Sequence, residues 1–188
     1  MDVNKDRDRA LTPKGVNENI AAFMEAARRA PAPASPGRGR LIFALDATMS
    51  RQPVWDLAQG LQAKMFEAAA SLGGLDVQLV YFRGLDECRA SNFVSGGQGL
   101  KELMSRIAVR GGSTQIGRVL THARNEARQV KVGALVFVGD AMEENPDTLA
   151  VLAGDLALLG VKAFMFQEGA DPAARRTFGE IARLTGGA

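Results

Sequence analysis

A chain of 188 residues is long enough for one domain with a real core. Its hydrophobic share of 46% and charged share of 23% are those of an ordinary globular protein. A formal net charge of +2 excludes the large, clustered basic excess of a dedicated nucleic-acid binder, and a single cysteine, Cys88, excludes an internal disulfide. The first residues, MDVNKDRDR, are charged and lack the apolar stretch of a signal peptide. No apolar run is long enough to span a bilayer, so the expectation is a cytoplasmic protein without membrane or nucleic-acid partners.

Residues 1–40 read as an N-terminal arm. Met1 to Lys14 is polar, and Val16 to Ala30 sets Ile20, Phe23, Met24 and Ala27 on one helical stripe. Pro31 to Arg40 is too rich in proline, glycine and arginine for a helix or a ladder and reads as a linker. From Leu41 the chain alternates. Leu41–Leu45, Val77–Phe82, Ala134–Val138 and Val161–Phe166 are short and dense in Val, Leu and Phe, the pattern of strands buried on both faces. Between them, Val54 to Leu72, Ile116 to Val130, Pro146 to Leu159 and Ala173 to Leu184 carry apolar residues at helical spacing. Glu87 to Val94 follows a short turn after the second strand and reads as its antiparallel edge partner. The expected class is α/β over residues 41–188: a Rossmann-like, doubly wound, mostly parallel sheet with one antiparallel edge strand and helices on both faces. In such sheets ligands sit beyond the carboxyl ends of the strands.

Three polar segments fall at that rim. The first strand ends in Leu45-Asp46-Ala47-Thr48-Met49-Ser50, with polar groups at every second position. In an extended loop those three side chains point the same way. Arg110 to Gly117, RGGSTQIG, opens the helix that starts near Ile116, and Asp140 follows the strand that ends in Gly139. Gly111-Gly112 and Gly139 leave room for a close approach. Asp46, Thr48, Ser50, Thr114 and Asp140 form an all-oxygen set, hard in character, which suits Mg2+ or Mn2+ better than zinc.

Those three segments resemble the metal-ion-dependent adhesion site of von Willebrand factor type A (VWA) domains, in a bacterial-type intracellular member. The family pattern is D-x-S-x-S, then a threonine in a Gly-Gly-rich loop, then an aspartate. Here these are Asp46-Ala47-Thr48-Met49-Ser50, Gly111-Gly112-Ser113-Thr114 and Gly139-Asp140, with Thr48 keeping the hydroxyl of the usual serine. The resemblance implies a non-enzymatic protein-interaction module. Thr48 and Ser50 would bind Mg2+ directly, Thr114 would join in one state, and Asp46 and Asp140 would act directly or through water. An open position would accept an Asp or Glu carboxylate from a partner protein.

Plainer roles compete. Thr48 or Ser50 could cap the helix after Pro53, Thr114 could cap its own helix, and Asp140 could be a turn acid. Glu143 and Glu144 either line the rim or sit in a solvated turn. His122 packs or faces water. A haloacid-dehalogenase-like phosphatase is the rival chemistry, with Asp46 as nucleophile and Thr114, Lys131 and Asp140 assisting. It needs an acid where Thr48 stands, because a threonine cannot exchange protons usefully near neutral pH. A third reading keeps the fold with a vestigial site. VWA sheets usually gain a strand after the glycines that are here Gly186-Gly187; an uncovered sheet edge would offer pairing to a second copy of the chain.

Overall fold

Strands that are apolar on both faces need a sheet covered on both sides. The computed structural model describes residues 38–48, 74–108 and 110–188. Within them one sheet is built from β1 (Gly39–Asp46), β2 (Leu75–Arg83), β3 (Glu87–Ser95), β4 (Ala134–Gly139) and β5 (Lys162–Gln167). The helices are α1 (Gly97–Ser105), α2 (Ile116–Gln129), α3 (Pro146–Leu158) and α4 (Pro172–Thr185). The strand order is β3-β2-β1-β4-β5, with β3 antiparallel to β2 and every other pair parallel. The chain thus builds outward from β1 in one direction, then returns and builds in the other. The switch in strand order falls beside β1, whose last residue is Asp46.

Alternate residues divide the core between the faces. On one face Ile42, Ala44, Val80, Phe82, Leu135 and Phe137 cluster with Val119 and Leu120 of α2, Leu149 and Leu156 of α3, and Phe178 and Ile181 of α4. Leu41, Phe43, Leu45, Val77, Leu79, Val136 and Val138 are buried on the other. Phe137 stacks on Phe82 at 6.1 Å and meets Phe178 edge-on at 5.4 Å, pairings worth about 0.5–1.5 kcal/mol each beyond area burial. Among the described residues no helix is long and apolar enough to cross a membrane.

The linker reading fails at its last residues. Gly39 and Arg40 belong to β1, paired with Leu75 and Asp76. The Arg38 guanidinium donates to the Asp76 carboxylate at 2.7 Å and to the Leu75 carbonyl at 3.1 Å. The Ser95 hydroxyl and Arg38 together hold the Asp76 carboxyl below the usual carboxylate range. The arm up to residue 37 and the helix expected over Val54 to Leu72 lie outside the described residues. Helix α1 was not anticipated. At the other end, α4 stops at Gly186 in a left-handed conformation (φ 68°), and the Gly187 N–H returns to the Ala182 carbonyl. Ala188 then lies along β5: its N–H donates to Ala163 at 3.3 Å and its carbonyl accepts from Met165 at 2.8 Å. That is the hydrogen-bond pattern of a parallel neighbour.

Candidate metal site

The first loop is set by a short turn. Asp46 is 4% exposed, and its carboxylate accepts the Thr48 N–H at 2.9 Å. Thr48 is buried as well. Between them the Ala47 N–H donates to Phe82 at 2.9 Å, and the Ala47 carbonyl accepts from Arg110 at 3.0 Å. The loop is therefore pinned to the end of β2 on one side and to the second loop on the other. Ser50 lies outside the described residues.

The second loop is held against the turn between β2 and β3. The Ser113 N–H donates to the Gly84 carbonyl at 3.1 Å. A Cβ on Gly112 would stand 1.9 Å from that same oxygen. The glycine is thus required by a neighbouring backbone, a reason different from the expected approach to an ion. Gln115 anchors the next position, donating from Nε2 to the Arg83 carbonyl at 3.3 Å, while its buried Oε1 has no partner. Arg83 itself bridges the Glu87 carboxylate at 2.8 and 3.0 Å and the Ala108 carbonyl at 2.6 Å.

The third loop leaves β4 beside β1. Leu45 pairs with Val138, so Asp46 and Asp140 emerge from adjacent parallel strands at the same end, where the strand spacing is about 5 Å. Gly139 is also a packing glycine, since a Cβ there would lie 2.5 Å from the Phe137 ring. Beyond Asp140 the loop turns onto the second one. The Thr114 N–H donates to the Glu143 carboxylate and the Glu143 N–H donates to Thr114 Oγ1, both at 3.2 Å. Glu144 takes the N–H groups of Ile116 at 2.5 Å and Gly117 at 2.9 Å. Glu144 is not left to solvent and Thr114 does not cap its own helix, while Glu143 is exposed as a solvated turn would have it and still bonds Thr114. The first turn of α2 has no side-chain cap from its own N-cap residue, Gln115, and Glu144 caps it from another loop.

No family model and no curated protein matches the sequence. Solved structures do match the fold. The SpRpn10 VWA domain superposes with a TM-score of 0.57 at 13% identity, over 78% of this chain and 82% of that one. A von Willebrand factor type A protein from Catenulispora acidiphila superposes with a TM-score of 0.53 at 16% identity, over 80% of this chain and 43% of that one.

The fold is that of a von Willebrand factor type A domain.

On this VWA fold Asp46, Thr48, Thr114 and Asp140 come from three loops joined to one another by the hydrogen bonds above. Among the described residues no three His, Cys, Asp or Glu side chains form a metal-holding group. Two carboxylates alone make a weak cage, so an ion on this rim depends on the hydroxyls. The donor set is all oxygen, the chemistry a hard divalent cation prefers. The residues present fit a hard divalent cation.

The other reactive groups among the described residues lie elsewhere. Lys131 precedes β4 and is exposed, a whole strand from Asp140, roughly 20 Å for six residues. The phosphatase reading loses its lysine as well as its second acid. Cys88 is partly buried, and burial pushes its thiol up, away from the reactive thiolate. An open cleft of about 530 Å³ flanks α2 and includes Cys88, Arg118, His122 and Glu144 in its lining. Within it His122 is bonded through Nε2 to Gln78 Oε1 at 2.8 Å. Burial lowers its pKa, opposed by Glu126 at 4.0 Å.

Proposed function

We propose that the chain is a non-enzymatic, cytoplasmic protein-interaction module that works through a divalent cation, Mg2+ or Mn2+. Asp46, Thr48, Ser50, Thr114 and Asp140 hold the ion. Three of these five are neutral hydroxyls, so much of the ionic charge is left uncancelled. The ion's chemistry is that of a Lewis acid with room for one more oxygen, supplied by an Asp or Glu of a partner protein. The chain's own side chains orient that exchange: Asp46 ties its loop to Thr48, and Thr114 bridges to the loop that carries Asp140.

The observation that carries this reading is the reciprocal pair between Thr114 and Glu143, which brings the hydroxyl loop to the aspartate loop at the strand ends. Isothermal titration of the whole chain with MgCl2 or MnCl2 tests it. A single-site isotherm in the wild type that disappears in Asp46→Ala is expected. A folded wild-type protein that takes up neither ion sinks the proposal. Pull-down with Mg2+ against chelator then tests the partner: proteins recovered equally in both arms would rule out a metal bridge. Self-association would run along the sheet edge beyond β5, where the chain after Gly186-Gly187 adds only Ala188; sedimentation velocity measures it, and a strict monomer removes it.

A further inference from the structure

Gly117 closes the RGGSTQIG segment, and nothing in ion binding asks for a glycine there. It sits in the first turn of α2, where alanine would favour the helix. A Cβ on it would stand 2.8 Å from Glu144 Oε2. The missing side chain is therefore the space into which the Glu144 carboxylate fits to bind the Ile116 and Gly117 N–H groups. Glu143 repeats the contact one residue earlier, accepting from Thr114 N–H while returning its own N–H to Thr114 Oγ1. Four hydrogen bonds thus fasten the segment just after Asp140 to the segment that begins at Thr114.

We propose that Glu144, seated against Gly117 and assisted by Glu143, is a positioning residue that fixes Thr114 relative to Asp140. It acts through the backbone and touches no ion. The bond from Glu143 N–H takes one acceptor direction of the Thr114 hydroxyl and so orients what remains. Outer-shell partners of this kind commonly contribute ten- to a hundredfold to metal affinity. The inference rests on the cation-site reading for its consequence, while the latch itself exists without the ion.

Two variants approach the latch from opposite sides. Glu144→Ala removes the carboxylate; Gly117→Ala keeps it and places a methyl group 2.8 Å from the present position of its Oε2, so the carboxylate must shift. Amide hydrogen exchange in the ion-free protein reads the latch, and Mg2+ titration reads its consequence. Faster exchange of the Ile116 N–H in both variants is expected, together with a fall in Mg2+ affinity of about tenfold or more. Asp46→Ala should lose the ion while leaving Ile116 exchange at the wild-type rate. Wild-type exchange at Ile116 in both variants overturns the latch. Faster exchange with unchanged Mg2+ affinity overturns the positioning role while the cation site stands. If the wild type binds no ion, the cation reading falls and the positioning role falls with it. Should Glu144→Ala fail to fold, Glu144→Gln, which keeps the side chain's length and removes its charge, takes its place in both measurements.

Discussion

At the scale of single residues, the glycines separate what was legible from what was not. The sequence marks Gly112 and Gly139 as places of close approach, and close approach is what they provide. The identity of the neighbour was hidden. Gly112 meets the Gly84 carbonyl and Gly139 meets the Phe137 ring, one contact across 28 positions and one across two. No local pattern encodes the first, because the partner is set by how the β2–β3 turn folds over the second loop. The same holds for Glu143 and Glu144, whose bonds span 27 to 29 positions. A methyl group on Gly112 has a rigid backbone oxygen 1.9 Å away, so the second loop must move. Gly112→Ala should cost about 1–3 kcal/mol, the range for forced overpacking, in urea denaturation. It should also weaken Mg2+ binding through displacement of Thr114. A variant with wild-type urea midpoint and wild-type ion affinity would show that the loop tolerates another path.

At the scale of elements, β1 and β4 were readable because burial on both faces gives them unbroken apolar runs, Leu41 to Leu45 and Ala134 to Val138. The later helices were readable because their starts carry local chemistry. Asn145 caps α3 by accepting from Asp147 and Thr148, and Asp171 caps α4 by accepting from Ala173 and Ala174, each followed by proline. Helix α1 has neither signal. Its N-cap is Gly96, with φ 85° and no side-chain bond, and it buries only Leu100 and Met104. Two apolar residues are too few to define a stripe. One contact between elements is chemically exposed to test. Thr185, in the last turn of α4, accepts the Ala163 N–H at 3.0 Å and donates to the Ile181 carbonyl at 2.9 Å, and it is buried. Thr185→Val keeps the shape and removes the acceptor. The Ala163 N–H is then buried without this partner, at a cost of about 1–3 kcal/mol. Thermal or urea unfolding should register that loss, and Thr185→Ser should recover most of it. Equal stability of the valine variant would mean the bond adds nothing net.

At the scale of the molecule, strand order and site are one fact. Because β1 is central and both neighbours run parallel to it, the loops after β1 and β4 leave side by side. The proposed ion, held by both loops and by Thr114, would tie the two halves of the sheet together in the folded state alone. Binding confined to the folded state stabilises it by mass action, by about 2.7 kcal/mol when the free ion is at a hundred times its dissociation constant. For a chain of 188 residues each kcal/mol moves the unfolding midpoint by roughly 2–4 °C, so saturating Mg2+ should raise it by roughly 5–10 °C over chelator. Differential scanning calorimetry measures this directly. Asp46→Ala should unfold at one temperature in both buffers, and the Glu144→Ala midpoint should respond only at higher Mg2+ concentrations. A rise of equal size in Asp46→Ala would assign the effect to general salt screening of surface charge, and the three-loop site would lose its thermodynamic claim on the fold.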